Sequence, residues 1–208
     1  MIQIPAGVFN LGFDPTLGIK PFMSEKTAGL NAQPEQTLFL KTFYIDRYET
    51  TYAEFLKFKP TAKYSTYIPN EPVRGVSWFE ADSYCLSIGK RLPTEFEWEK
   101  AARGTDNRLF VWGNKFDKGK ANFSKKVTSI YTQNKDRSIF GVWGMNGNVS
   151  EWTSSWYQPY PNSNHKDENY GKKFKVTRGG SYLKRDHGFI KEFVMIPFRN
   201  ILPLNARF

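Results

Sequence analysis

Helical periodicity is confined to one stretch of this chain. Residues 50–104 carry three amphipathic runs, and beyond Gly104 no apolar period outlasts two turns. In Thr50–Phe58 the apolar residues fall at 52, 55, 56 and 58, and Pro60 stops the run. Ser77 precedes a clearer helix, with Glu80 three residues on, the spacing of a capping box. Trp78, Ala81, Tyr84, Cys85 and Ile88 share its apolar face, and Gly89 is its stop. Thr94 and Glu97 repeat the signal at once; Phe96, Trp98, Ala101 and Ala102 follow, and Gly104 ends that helix. The remainder is punctuated by turns such as Trp112-Gly-Asn114 and Gly144-Met-Asn-Gly-Asn148. Thr37–Ile45 reads as one strand-like stretch, Val176–Tyr182 as a strand with a glycine bend, and Phe193–Ile196 as a buried strand stopped by Pro197. Residues 158–173 read as a mobile surface loop. The expected molecule is one domain over 1–208, with two main helices, short strands and much ordered loop.

Composition narrows the chemistry. Hydrophobic residues are 39% and aromatics 17%, enough for a sizeable core and too many for a disordered chain. Mean hydropathy is −0.58, and no apolar run approaches the roughly 20 residues of a membrane span. One cysteine excludes an internal disulfide framework and a thiolate zinc cluster. Two histidines leave little for a multi-histidine metal site. The net charge of +10 favours acidic partners. The basic residues are scattered, with pairs such as Lys125-Lys126 and Lys172-Lys173 as the densest runs. That pattern is a solvated basic surface, not a nucleic-acid site. The first twelve residues lack the basic and apolar regions of a secretory signal, so a cytoplasmic location is the default expectation.

Several motifs then stand in order along the chain: Ile4-Pro-Ala-Gly-Val-Phe9, Phe43-Tyr-Ile-Asp-Arg-Tyr-Glu-Thr50, Pro72-Val-Arg-Gly-Val-Ser-Trp78, and Gly89-Lys-Arg-Leu-Pro-Thr94 with the helix after it. Trp112-Gly-Asn114, Gly141-Val-Trp-Gly-Met-Asn-Gly-Asn148 running on to Glu151-Trp-Thr153, and Arg178-Gly-Gly-Ser-Tyr182 complete them. Together they resemble the signature of the formylglycine-generating enzyme (sulfatase-modifying factor) family. The resemblance implies an α+β fold, a variant of the C-type-lectin fold. It also implies what catalysis would need. Catalytic members oxidise a cysteine of a substrate protein with copper held by two cysteines after the Gly-Gly-Ser motif; paired thiolates suit Cu(I). Here Leu183–Arg199 holds no cysteine, so no copper is expected. Cys85 is expected in the core instead. A histidine-rich iron site, as in the ergothioneine-type branch, is disfavoured because His165 and His187 lack ligand spacing, and the Asn-rich variable segment of the retroelement branch has no counterpart. Family members finish with a Gly-Phe-Arg strand; because the chain ends Ala206-Arg-Phe208, that strand is expected either to have diverged or to be cut short here.

The resemblance also suggests sites. Asn148, Val149 and Glu151 would hold calcium through side-chain and carbonyl oxygens; the plainer reading is a capping box between Asn148 and Glu151. A second calcium site at Ala121-Asn-Phe123 is expected lost, since Ser124-Lys-Lys126 supplies no acid. Arg178, Ser181, Tyr182 and Arg199 are the candidate ligand-binding residues, with salt bridges the commoner use of such arginines. Ser181, Asp186 and His187 have the residue types of a hydrolase triad, but neighbouring Asp and His point apart in most backbones. Glu95, Glu97 and Glu99 are expected to serve the helix dipole. Tryptophans 78, 98, 112, 143 and 152 are assigned to packing, and Trp156, Tyr157 and Tyr160 to exposed positions. The expected function is a non-catalytic binding or sensory module for a protein or peptide, an acidic one by charge. It would serve as a regulatory domain or as part of a larger bacterial protein such as a serine/threonine kinase. The alternatives are an enzyme of the family with a different reaction, and a structural subunit of a surface or secretion assembly.

Overall fold

The computed structural model describes residues 1–14, 29–64, 67–182 and 192–207. Strands β1 (Ile2–Ile4), β2 (Gly7–Leu11), β3 (Gln36–Leu40) and β4 (Phe43–Ile45) make two antiparallel pairs, β1 with β4 and β2 with β3. Ile4 lies opposite Phe43, and Phe9 opposite Leu38. The stretch read as one strand over 37–45 is therefore two, divided at Lys41-Thr42 because each half serves a different partner. Alternation follows the pleat: Phe9 and Leu11 turn inward, while Val8 and Phe39 face solvent.

Helices α1 (Tyr52–Phe58), α2 (Trp78–Ser87) and α3 (Glu95–Arg103) follow. Each starts with a complete reciprocal cap: Thr51 with Glu54, Ser77 with Glu80, Thr94 with Glu97. Two orphan backbone donors are satisfied at each start. Gly104 closes α3 at φ +76°, and a Cβ there would collide with the Ile139 side chain.

Strands β5 (Glu151–Trp156), β6 (Lys175–Arg178) and β7 (Asn200–Leu202) form an antiparallel sheet with β6 in the middle. Phe193–Ile196 is a turn, not the strand its apolar run suggested. Val194, Met195 and Ile196 are buried all the same. Their backbone is satisfied singly: Asn146 donates to the Val194 carbonyl at 2.6 Å, and Ile196 N–H donates to Leu109 O at 2.8 Å. The third strand comes after it, from Asn200–Leu202, so one side of β6 is covered by the chain's own last strand.

Helix α3 packs against β2, β5 and β6. Trp98, Ala101 and Ala102 join Ile4, Val111, Val142, Met145 and Ile196 in one buried cluster. A second cluster gathers Phe9, Leu11, Phe13, Leu109, Phe110, Tyr160, Val194 and Met195. The fold is α+β, with three α-helices and short antiparallel strands among the described residues. Among the described residues no helix is long and apolar enough to cross a membrane.

Candidate functional site

Arg178 ends β6 and Arg199 precedes β7, and both side chains are fully buried. Arg178 pairs with Glu99 through Nη2, donates from Nη1 to the carbonyls of Pro197 (3.2 Å) and Phe198 (3.0 Å), and lies over the Trp98 ring. Arg199 grips Glu95 with a fork of two bonds at 2.7 and 2.8 Å. It also donates to Asn31 O (2.6 Å) and Gln158 O (2.9 Å), between the rings of Tyr157 and Tyr160. Both guanidinium groups are thus committed to the core instead of an open groove. Glu95 and Glu99 face inward as their counter-ions. Of the three α3 glutamates only Glu97 keeps the expected helix-start role, with Arg91 at 2.6 Å. Tyr157 and Tyr160, expected outside, are buried by this packing. Trp156 is half-buried against the Lys175 ammonium, which lies 3.9 Å from its ring and 4.2 Å from that of Trp78.

Ser181 is buried and Tyr182 half-buried. The Tyr182 hydroxyl accepts from Arg74 Nη1 at 2.9 Å. Arg74 lies between the rings of Tyr182 and Tyr52, and its Nη2 reaches Glu71 at 3.2 Å. Arg74 was not singled out from the sequence, although it sits inside the Pro72–Trp78 motif. Asp186 and His187, the other members of the triad considered, lie outside the described residues.

The turn proposed for calcium is closed by hydrogen bonds. Asn148 is buried at φ +69°. Its Oδ1 accepts from Asn122 Nδ2 (2.8 Å) and Thr128 N (3.0 Å), and its Nδ2 donates to Glu49 Oε2 (2.8 Å) and Thr128 O (3.2 Å). Two N–H groups aim at the oxygen that a metal would need. Val149 N–H donates to Glu49 Oε1 at 3.3 Å. Glu151 differs, because its buried Oε2 has no hydrogen-bond partner and a Cβ on Gly179 would come within 2.5 Å of it. Glu151 starts β5, so the capping box read between Asn148 and Glu151 does not form. Asn148 and Glu151 therefore do not fit calcium as a joint ligand pair. Among the described residues no three His, Cys, Asp or Glu side chains are grouped to hold a metal. In the Ala121-Asn122 loop, Asn122 Oδ1 accepts from Ser124 N and Oγ while Nδ2 donates to Lys126 O, so protein groups fill that turn as well.

Behind this network lies a cavity of about 530 Å³, walled by β4, α2, Pro72, Val73, Val76, residues 89–93, and residues 142, 143, 145 and 149–152. Phe43, Tyr84, Trp143, Met145 and Trp152 supply much of its apolar wall. Glu49 and Glu151 are enclosed by protein yet keep accessible surface, and both line this space. Burial pushes the Glu49 carboxyl up to about 8, against the pull of the Asn148 and Val149 bonds. Burial likewise pushes Asp136 up to about 7. Glu151 is raised well above the carboxylate range, by burial first and then by the charges of Glu49 and Asp136. Cys85 is half-buried on the cavity wall, not in the core. Burial raises its thiol to about 11, so it is protonated and a poor nucleophile at neutral pH. No sequence signal marks this cavity, because its walls come from segments far apart in the chain.

A family model described as "Sulfatase-modifying factor enzyme 1-like domain" matches residues 1–201. Over 88% of its length the chain is 29% identical to the formylglycine-generating enzyme of Bos taurus, covering 66% of that protein. Over 56% it is 36% identical to "Inactive C-alpha-formylglycine-generating enzyme 2" of Mus musculus, covering 39% of it. Over 41% it is 48% identical to the serine/threonine-protein kinase Pkn1 of Chlamydia trachomatis serovar L2, covering 14% of it. The chain spans less than two thirds of each of these relatives. In three dimensions it resembles PvdO from Pseudomonas aeruginosa, with a TM-score of 0.69 and 21% identity over 99% of this chain and 88% of that one. The Treponema denticola variable protein 1 gives 0.70 and 19% over 100% and 91%. At these identities the structural likeness speaks for the fold alone.

Proposed function

The chain belongs to the sulfatase-modifying factor enzyme 1-like family, and from that premise we propose that it is a non-catalytic member, a module that binds a protein segment without oxidising it. The observation that carries this reading is the single cysteine. Copper held by two thiolates of one chain needs a second one. Cys85 stands on α2, on the cavity wall, with its thiol protonated at neutral pH. The relative named inactive is in keeping with a member that has lost the chemistry. The kinase relative, of which this chain covers 14%, is in keeping with a domain that regulates a larger protein. For the bound segment, the half-buried Arg74 between Tyr52 and Tyr182 offers a planar cation flanked by aromatic faces. Arginine and tyrosine are enriched where interfaces hold their partners. The net charge of +10 favours an acidic segment.

The test is an oxidation assay with Cu(I) added to the purified chain and a cysteine-containing peptide as substrate. The expected result is no aldehyde on the peptide and no copper retained against a Cu(I) chelator. Aldehyde formation that depends on this chain would overturn the reading.

A further inference from the structure

We propose that the cavity between β4, α2 and residues 142–152 binds a small organic cation, an ammonium group carried on an apolar or aromatic body. Its volume of about 530 Å³ lies within the range of small-molecule sites, roughly 300–1,000 Å³. Met1, Thr42 and Tyr44 line it and are exposed, which places its mouth beside β4. The chemical class follows from the charges on its walls. Asp46, Glu49, Glu97 and Glu151 line the cavity together with Lys90 and Arg91. Lys90 is paired with Asp46 at 2.8 Å and Arg91 with Glu97 at 2.6 Å. Glu49 and Glu151 are left over. Among the described residues neither is ion-paired to a Lys or Arg, and the charged neighbours that act on them are other carboxyls.

A protein of net charge +10 thus encloses a pocket in which two acidic groups have no Lys or Arg partner among the described residues. In the empty cavity both carboxyls are held protonated at neutral pH, and of the three ligand classes only a cation gains from their ionising; a neutral ligand or an anion does not. An ammonium would meet the carboxyls at one end and rest on the aromatic faces of Trp143 and Trp152. Among the described residues a bare divalent ion finds no group of three ligating side chains. The cavity is distinct from the Arg74–Tyr182 rim, so this inference does not depend on the peptide-binding reading.

Calorimetry tests it with three probes of one shape: 2-phenylethylamine, its neutral analogue 2-phenylethanol, and the anion 3-phenylpropionate, in buffer with EDTA. The amine is expected to bind at least about tenfold more tightly than the alcohol, a difference of about 1.4 kcal/mol, and the anion not to bind. Glu151→Gln is expected to remove that advantage while alcohol binding persists, which shows the cavity intact. The comparison on the unmodified chain stands even if the variant does not fold. Equal affinity for all three probes, or no saturable binding of the amine, overturns the proposal. So does a Ca²⁺-induced rise in Tm that Glu151→Gln abolishes while the amine gives none.

Discussion

Removing the Arg199 guanidinium would leave Glu95 buried near Tyr157, Tyr160 and the β7 approach without its ion-pair partner, with only the more distant Arg178 acting on it. A stranded buried charge is among the largest single costs a substitution can impose. Arg199→Met is therefore expected to lose about 3–5 kcal/mol of unfolding free energy by urea denaturation. Arg91→Ala is the contrast. Its partner Glu97 is held at 2.6 Å, but the arginine side chain is 59% exposed, and solvent screens the pair. That variant is expected to lose no more than about 1 kcal/mol. A similar loss in both would show that burial is not what gives the Arg199 pair its weight. At this scale the sequence does carry a signal for the buried pairs. Glu95, Trp98, Glu99 and Ala102 recur at helical spacing, so two acids share the face that carries a buried tryptophan. Inward acids on a core face call for inward bases, and Arg178 and Arg199 are those bases. Reading Glu95, Glu97 and Glu99 as one dipole-driven group hid the split between them.

Elements were legible where their signal is local. The Ser/Thr-x-x-Glu starts of α2 and α3 need only four residues, and both formed as complete boxes. The same arrangement at Thr51 and Glu54 went unremarked, and that helix is equally well capped. Thr94→Ala removes the hydroxyl that accepts from Glu97 N at 3.1 Å. It is expected to cost about 1 kcal/mol, within the roughly 0.5–2 kcal/mol range for such caps. Because α3 sits between β2, β5 and β6, the loss is expected as a lower Tm of the whole domain, not as fraying of one end. An unchanged Tm would mean that packing alone sets the start of α3. Strands were legible only in part. Phe193–Ile196 had the apolar run of a strand, but whether such a run finds a ladder depends on partners elsewhere. Here Asn146 and Leu109 took its backbone groups one at a time. The cavity was not legible at all, since a void is a property of several segments meeting and of no one of them.

For the whole molecule, its carboxyls set two opposing slopes of stability against pH. Glu80 ties the end of α1 to the start of α2 and to the C-terminal region, through Lys59 at 2.6 Å and Arg207 at 2.7 Å. Burial opposes its ionisation, but the bonds from Arg207, Lys59 and Ser77 outweigh it and hold the carboxyl at about 2. A carboxyl depressed in the folded state stabilises above its unfolded value of 4.5, and that contribution is lost as pH falls toward 2. Glu49 and Asp136 act in the other direction. Raised to about 8 and about 7, they stay protonated in the folded protein where the unfolded chain has already released its protons. Folding then takes up protons, so stability declines from about pH 4.5 toward 8. Urea denaturation across this range is expected to show a maximum on the acid side of neutrality. Glu49→Gln keeps the bulk of the side chain and removes its titration. It is expected to make the descending limb shallower, with Asp136 and Glu151 carrying what remains, while leaving in place the acid limb, which Glu80 shares with Glu97, Asp106 and Asp167. Glu80→Gln is expected to make the acid limb shallower and to leave the descending limb unchanged. If the descending limb survives in Glu49→Gln with undiminished slope, another group carries it, and the enclosure of Glu49 is less complete than the Asn148 network implies.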